Sequence, residues 1–168
     1  MAAWRHARKM PFPRASSGAA IVAMLAVLGT ALPIAAATTE LLVIDRNSGL
    51  AIHGFDPVAY FTDRAPLLGK GEFEHRHAGA VWRFRNPGNL GAFAADPVVY
   101  MPRFGGYDPV GVGRGVATAG DPRIWMIVGE RLYLFHAPEN KAAFAANSEQ
   151  AAAAADEAWP AVQRTLAP

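Results

Sequence analysis

Val81-Trp82-Arg83-Phe84-Arg85-Asn86-Pro87-Gly88-Asn89-Leu90-Gly91-Ala92-Phe93-Ala94-Ala95-Asp96 aligns without a gap on Leu132-Tyr133-Leu134-Phe135-His136-Ala137-Pro138-Glu139-Asn140-Lys141-Ala142-Ala143-Phe144-Ala145-Ala146-Asn147. Seven of the sixteen positions are identical, among them Phe84/Phe135, Pro87/Pro138, Asn89/Asn140 and Phe93/Phe144. Each copy reads as the return strand of a hairpin followed by a short helix that proline opens. One aromatic sits on the strand and one on the helix. A lone two-stranded hairpin is marginal in water and needs a cover; the ring pair lets each helix cover its own hairpin. Two such β-β-α units sharing one core predict an α+β fold: a small single domain of short antiparallel hairpins under short helices, with a C-terminal helix.

Outward from the repeat, Phe73, His75 and His77 alternate with Glu74 and Arg76, so 72–85 reads as one hairpin turning at Ala78-Gly79. Ile124–Val128 reads as a strand, Gly129-Glu130 as a tight turn and Leu132–Phe135 as its partner. Asp precedes Pro at Asp56, Asp96, Asp108 and Asp121, the pattern of a carboxylate capping a turn that proline fixes. Val58–Phe61 then forms a single helical turn. The glycine-dense stretch from Gly105 to Gly120 predicts a bulged strand or a close approach of two chain segments. Pro138–Ala146 is helical by composition, and Ser148 is expected to cap an alanine-rich helix running toward Trp159.

The start of the chain differs from the rest. Arg5, Arg8, Lys9 and Arg14 precede an apolar run from Gly18 to Leu32, Pro33 breaks it, and Ala35-Ala36-Ala37 offers a small-residue cleavage site. These features predict a general secretory signal peptide over 1–37 and a periplasmic or secreted product. The alternative is an uncleaved membrane anchor over 18–37, whose length is at the lower edge for a span. The predicted organisation is therefore a leader at 1–37, an entry segment at 38–50, the repeat-bearing domain at 51–147, and a C-terminal helix and tail at 148–168. No stable membrane span is expected after cleavage.

The chain has 168 residues, 52% hydrophobic and 18% charged, with net charge +2. Four of its 16 basic residues lie in the leader, so the remainder carries 12 bases against 14 acids, a net charge of −2. Nucleic acid is thereby disfavoured as a partner. The absence of cysteine excludes disulfides, thiolate catalysis, zinc ribbons and iron–sulfur clusters. About 130 residues are enough to be held by core packing alone.

Five side chains are candidate metal ligands. His75 and His77, two apart on a strand, face the same way and can reach one ion; solvated histidines on an open hairpin face are the plainer reading. His53, Asp108 and His136 each stand at an element boundary and together would make a nitrogen–nitrogen–oxygen set for copper(II), zinc or nickel, against the plainer reading that each satisfies local backbone. No G-x-S-x-G elbow, H-E-x-x-H pair or phosphate-cradling glycine loop is present. No catalytic residue is assigned, and the chain reads as a non-enzyme. The tryptophans and tyrosines read as core rather than as a ligand groove.

Gly54-Phe55-Asp56-Pro57-Val58-Ala59-Tyr60-Phe61 resembles the opening motif of exported YHS-domain proteins. The segments around Trp82, Phe84, Phe93 and Asp96-Pro97…Tyr100, then Phe104-Gly105-Gly106-Tyr107, Trp125, Gly129 and Leu132-Tyr133-Leu134, and finally Trp159-Pro160, resemble their later blocks. The resemblance spans about residues 50–160. Tyr133-Leu134-Phe135-His136-Ala137 is similar to the element that names the domain, with Ala137 where serine is expected. Domains of this type often stand beside heavy-metal pumps, and some carry metal-binding cysteines. Here Asp108 follows Gly105-Gly106-Tyr107 where such a cysteine usually stands. The leader, these blocks and the histidines at element ends together point to an exported, non-catalytic binding module, with a divalent transition metal as the candidate cofactor or cargo. The alternatives are an envelope protein-interaction or scaffold domain and, third, a small-molecule enzyme.

Overall fold

The structure, a computed structural model, describes residues 41–166. The leader at 1–37, its cleavage site and the alternative anchor at 18–37 lie outside the described residues. The elements run α1 (Ala59–Thr62), β1 (Lys70–His77), β2 (Ala80–Phe84), α2 (Pro87–Ala95), α3 (Pro97–Tyr100), α4 (Pro109–Val112), β3 (Asp121–Val128), β4 (Arg131–Phe135), α5 (Pro138–Ala146) and α6 (Ser148–Leu166). The fold is α+β. Its sheets are two separate antiparallel hairpins, β1–β2 and β3–β4. Both two-residue turns place left-handed backbone at both positions, Ala78-Gly79 and Gly129-Glu130, which matches the right-handed twist of the flanking strands.

The duplication is larger than the sixteen aligned residues. Each hairpin carries a bulge near its outer end, between Lys70 and Glu74 in β1 and between Asp121 and Trp125 in β3. The second bulge accommodates Pro122 inside a strand, where proline is otherwise excluded. Before each hairpin the chain makes a left-handed three-residue turn, Ile52-His53-Gly54 and Phe104-Gly105-Gly106. A Gly-aromatic-Asp-Pro-Val run follows in both. Asp56 N–H then donates to the Leu67 carbonyl and Asp108 N–H to that of Thr118, at 2.8 and 2.9 Å. Two copies of one unit therefore run from about 52 to 96 and from about 104 to 147.

Each helix covers its own hairpin as the repeat requires. Phe93 stacks on Trp82 and Phe84, with ring centres 5.0 and 5.1 Å apart, and Phe144 on Tyr133 and Phe135, at 4.9 and 5.3 Å. The buried side chains divide into two clusters, one around Ile52, Tyr60, Trp82, Phe84 and Phe93, the other around Phe104, Tyr107, Val112, Phe135 and Phe144. This corrects the expectation of one common core. Strand β4 joins the two: its even residues Leu132 and Leu134 enter the first cluster, its odd residues Tyr133 and Phe135 the second. The period-2 alternation of a strand turns β4 into a wall between two cores. Just ahead of the repeats, Leu42 and Val43 divide in the same way.

The last helix is longer than expected. It passes through Pro160 to Leu166 and buries Ala155 and Val162. Ser148 is already helical; the cap is Asn147, whose Oδ1 accepts from the Gln150 N–H at 3.3 Å. Among the described residues no helix is long and apolar enough to cross a membrane.

Candidate functional site

Asp108, the one carboxylate among the candidate ligands, and its counterpart Asp56 are both buried and fully engaged. Asp56 Oδ1 accepts from the N–H groups of Val58 and Ala59, at 2.8 and 3.3 Å, and its Oδ2 from Arg85 N–H and Asn89 Nδ2, at 2.8 and 2.7 Å. Asp108 repeats the pattern: Oδ1 takes Val110 and Gly111 N–H at 2.8 and 3.3 Å, and Oδ2 takes His136 N–H and Asn140 Nδ2 at 2.7 and 2.6 Å. Neither residue has any exposed surface. Each carboxylate buttons the turn that opens its unit to the strand–helix junction that closes it.

That bonding decides the proposed His53–Asp108–His136 set. Asp108 has no oxygen left facing a ligand. His136 reaches it only through the backbone, while its ring Nδ1 lies 3.1 Å from the Ala119 carbonyl. His53 is elsewhere, its Nδ1 3.6 Å from Asp45 Oδ2. The three are not brought to one point, and among the described residues no group of three or more histidine, aspartate or glutamate side chains is placed to hold a metal ion. His75 and His77 do come together. Their rings lie on one face of β1, 6.5 Å apart and nearly parallel.

A hollow in the surface lies elsewhere. It is a groove of about 650 Å³ between the segment 42–46 and the edge of the second unit, where Tyr107, Ala117 and Ala119 form the opposite wall. That volume falls within the range of small-molecule sites. Leu42, Val43 and Ile44 make one side apolar, and Asp45 and Arg46 bring opposite charges to it. The segment is fixed by backbone bonds: Val43 N–H donates to the Gly105 carbonyl, Ile52 N–H to that of Val43, and Asp45 N–H to that of Leu50. Gly105 is required there, because a β-carbon would collide with the Leu41 carbonyl.

Asp45 organises the polar end. Its Oδ1 accepts from the N–H groups of Asn47 and Ser48, both at 2.9 Å. Those backbone bonds, that from Ser48 foremost, hold its carboxyl below the usual carboxylate range, and His53 adds to the effect. His53 itself adopts φ 54°, left-handed for a non-glycine residue; its counterpart in the second unit is Gly105. Asp45 is not among the candidates the sequence offers, although an acid just ahead of a turn signal such as Asn47-Ser48-Gly49 is the ordinary acceptor for its N–H groups.

The aromatics are mostly core. Tyr60 and Trp82 are fully buried, and Trp125 and Trp159 pack on the two clusters. Burial drives the Tyr60 hydroxyl well above the usual tyrosine range, and Asp121 adds to the shift; the hydroxyl donates to the Pro122 carbonyl at 2.8 Å. Tyr107 is the exception, since it also lines the groove.

No family model, curated protein or solved structure matches the chain.

Proposed function

We propose that the chain is an exported, non-catalytic binding module of the YHS type, working in the periplasm or outside the cell, and that its ligand seat is the groove between 42–46 and Tyr107–Ala119. The groove carries the reading: it combines ligand-sized volume, apolar walls and one acid–base end, which suits a small amphipathic molecule. The non-catalytic part is supported by the bonding of Asp56 and Asp108. The buried carboxylates that could serve as acid or base are occupied by four N–H donors each, and the chain has no cysteine nucleophile.

The test uses 8-anilinonaphthalene-1-sulfonate, an apolar dye with one charge, as the probe. The expected result is saturable fluorescence enhancement by the wild-type chain. Ala119→Trp, which fills the groove from an exposed position, should weaken binding by on the order of tenfold or more, equivalent to about 1.4 kcal/mol. Equal binding by both chains places the seat elsewhere. Export is tested separately by osmotic-shock fractionation and the N-terminal sequence of the released protein, expected to begin at Thr38.

A further inference from the structure

We propose that His75 and His77 form a two-imidazole seat for a divalent transition metal, copper(II) foremost, on the face of the first hairpin that α2 partly covers. The inference is independent of the groove. Both residues lie on β1, where His75 pairs with Trp82 and His77 with Ala80. Residues two apart on a strand share a face, while Glu74 and Arg76 turn to the other, where Glu74 is tied to Arg83 at 2.8 Å.

Both rings rest edge-on against Phe93, at 6.1 and 5.8 Å. Phe93 is fully buried and is held between Trp82 and Phe84, so it is a fixed floor for two partly buried imidazoles. Metal–imidazole bonds are about 2.0–2.1 Å long, so two rings at neighbouring positions on one ion have centres about 4.5–5.2 Å apart. At 6.5 Å and nearly parallel the pair stands wider than that, and rotation about the side-chain bonds of the two partly buried histidines brings their nitrogens to one ion. Two neutral nitrogen ligands with water completing the shell suit copper(II), nickel(II) or zinc rather than magnesium or calcium, and copper(II) binds such ligands most strongly.

The experiment titrates copper(II) sulfate into the full-length chain in a non-coordinating buffer, read by calorimetry. The expected result is one ion per chain with Kd of about 10 µM or tighter. The double variant Arg76→His with His77→Arg keeps the composition and moves one imidazole to the opposite face; its affinity should fall by about tenfold or more. The single variant His75→Gln gives the same reading should the double variant lose the far-ultraviolet dichroism of the wild type. His6, His53 and His136 remain in both variants, so the loss belongs to the pair. Wild-type binding weaker than about 10 µM, or a loss of less than about tenfold in the folded variant, overturns the proposal.

Discussion

Asp56 and Asp108 hold the same position in two copies of one unit, each accepting two N–H donors from its own turn, one from the residue after its return strand and one from an asparagine side chain on the following helix. The second copy departs from the first at one point of the same junction. Asn86 caps α2 by accepting the Asn89 N–H at 2.8 Å, whereas Ala137, in the matching place, offers α5 no side-chain cap.

Ala137→Ser, or Ala137→Asn, should therefore stabilise the protein. A side-chain acceptor at an N-cap contributes about 0.5–2 kcal/mol relative to alanine. Urea unfolding should show a higher midpoint with an unchanged slope. A midpoint equal to that of the wild type contradicts the assignment of Ala137 as an empty cap.

The residue just ahead of each hairpin, Gly69 or Gly120, passes close over the return strand. A β-carbon on Gly120 would lie 2.7 Å from Leu134 Cβ and 2.8 Å from the Gly106 carbonyl oxygen, and Gly69 meets Arg83 just as closely. Overpacking of this kind costs about 1–3 kcal/mol. Gly120→Ala should lower stability by that amount or more, and Gly115→Ala is no control, since its φ is 80°. Gly91→Ala, in open space on α2, should instead be neutral or stabilising in the same melt.

Much of this was legible in the sequence. Phe84, Phe93, Phe135 and Phe144 announced two hairpin–helix units because strand and helix periods leave one ring on each facing surface. The Gly-Phe-Asp-Pro-Val and Gly-Tyr-Asp-Pro-Val runs extended the repeat and were equally visible, 52 residues apart, but Asp-Pro recurs often enough as a turn signal to conceal that two of the four were a matched pair. The wall role of β4 was not legible. Arg131–Phe135 carries Leu134 where Ala80–Phe84 has Arg83, so that every position after the first is large and apolar or aromatic, and that pattern says both faces are buried without saying against what. Nor could the failure of His53, Asp108 and His136 to meet be read, since it depends on which way backbone N–H groups from distant segments point.

Tyr60 ties the first unit to the bulge of the second through Pro122. Tyr60→Phe removes the donor and leaves a buried carbonyl unpaired, a loss of about 1–3 kcal/mol. The raised Tyr60 hydroxyl also fixes a sign. The unfolded chain ionises near the ordinary tyrosine value, about 10, while the folded chain resists; stability is full below that value and falls as pH rises through it. Alkaline melts should show this fall in the wild type and a smaller one in Tyr60→Phe.

Asp45 carries the opposite sign. Its folded carboxyl lies below the usual range, so its contribution is present above the unfolded value and is lost as pH falls through the folded one. The protection of the Asn47 and Ser48 amides, their hydrogen exchange taken relative to the intrinsic rate at each pH, should fall as pH drops below the ordinary carboxylate range. Asp45→Ala, which removes the acceptor, should leave both amides unprotected at all pH values, and protection unaltered in that variant contradicts the role given to Asp45.

The account turns on Asp108 being spent on backbone and asparagine donors rather than offered to a ligand. The direct measurement is the unfolding free energy of Asp108→Asn in urea. An amide nitrogen set among N–H donors breaks at least one charge-assisted bond, so a loss of about 2–5 kcal/mol is expected, matched by Asp56→Asn. Stability within about 0.5 kcal/mol of the wild type, the range of an uninvolved surface change, would show a carboxylate free for other work and contradict the account.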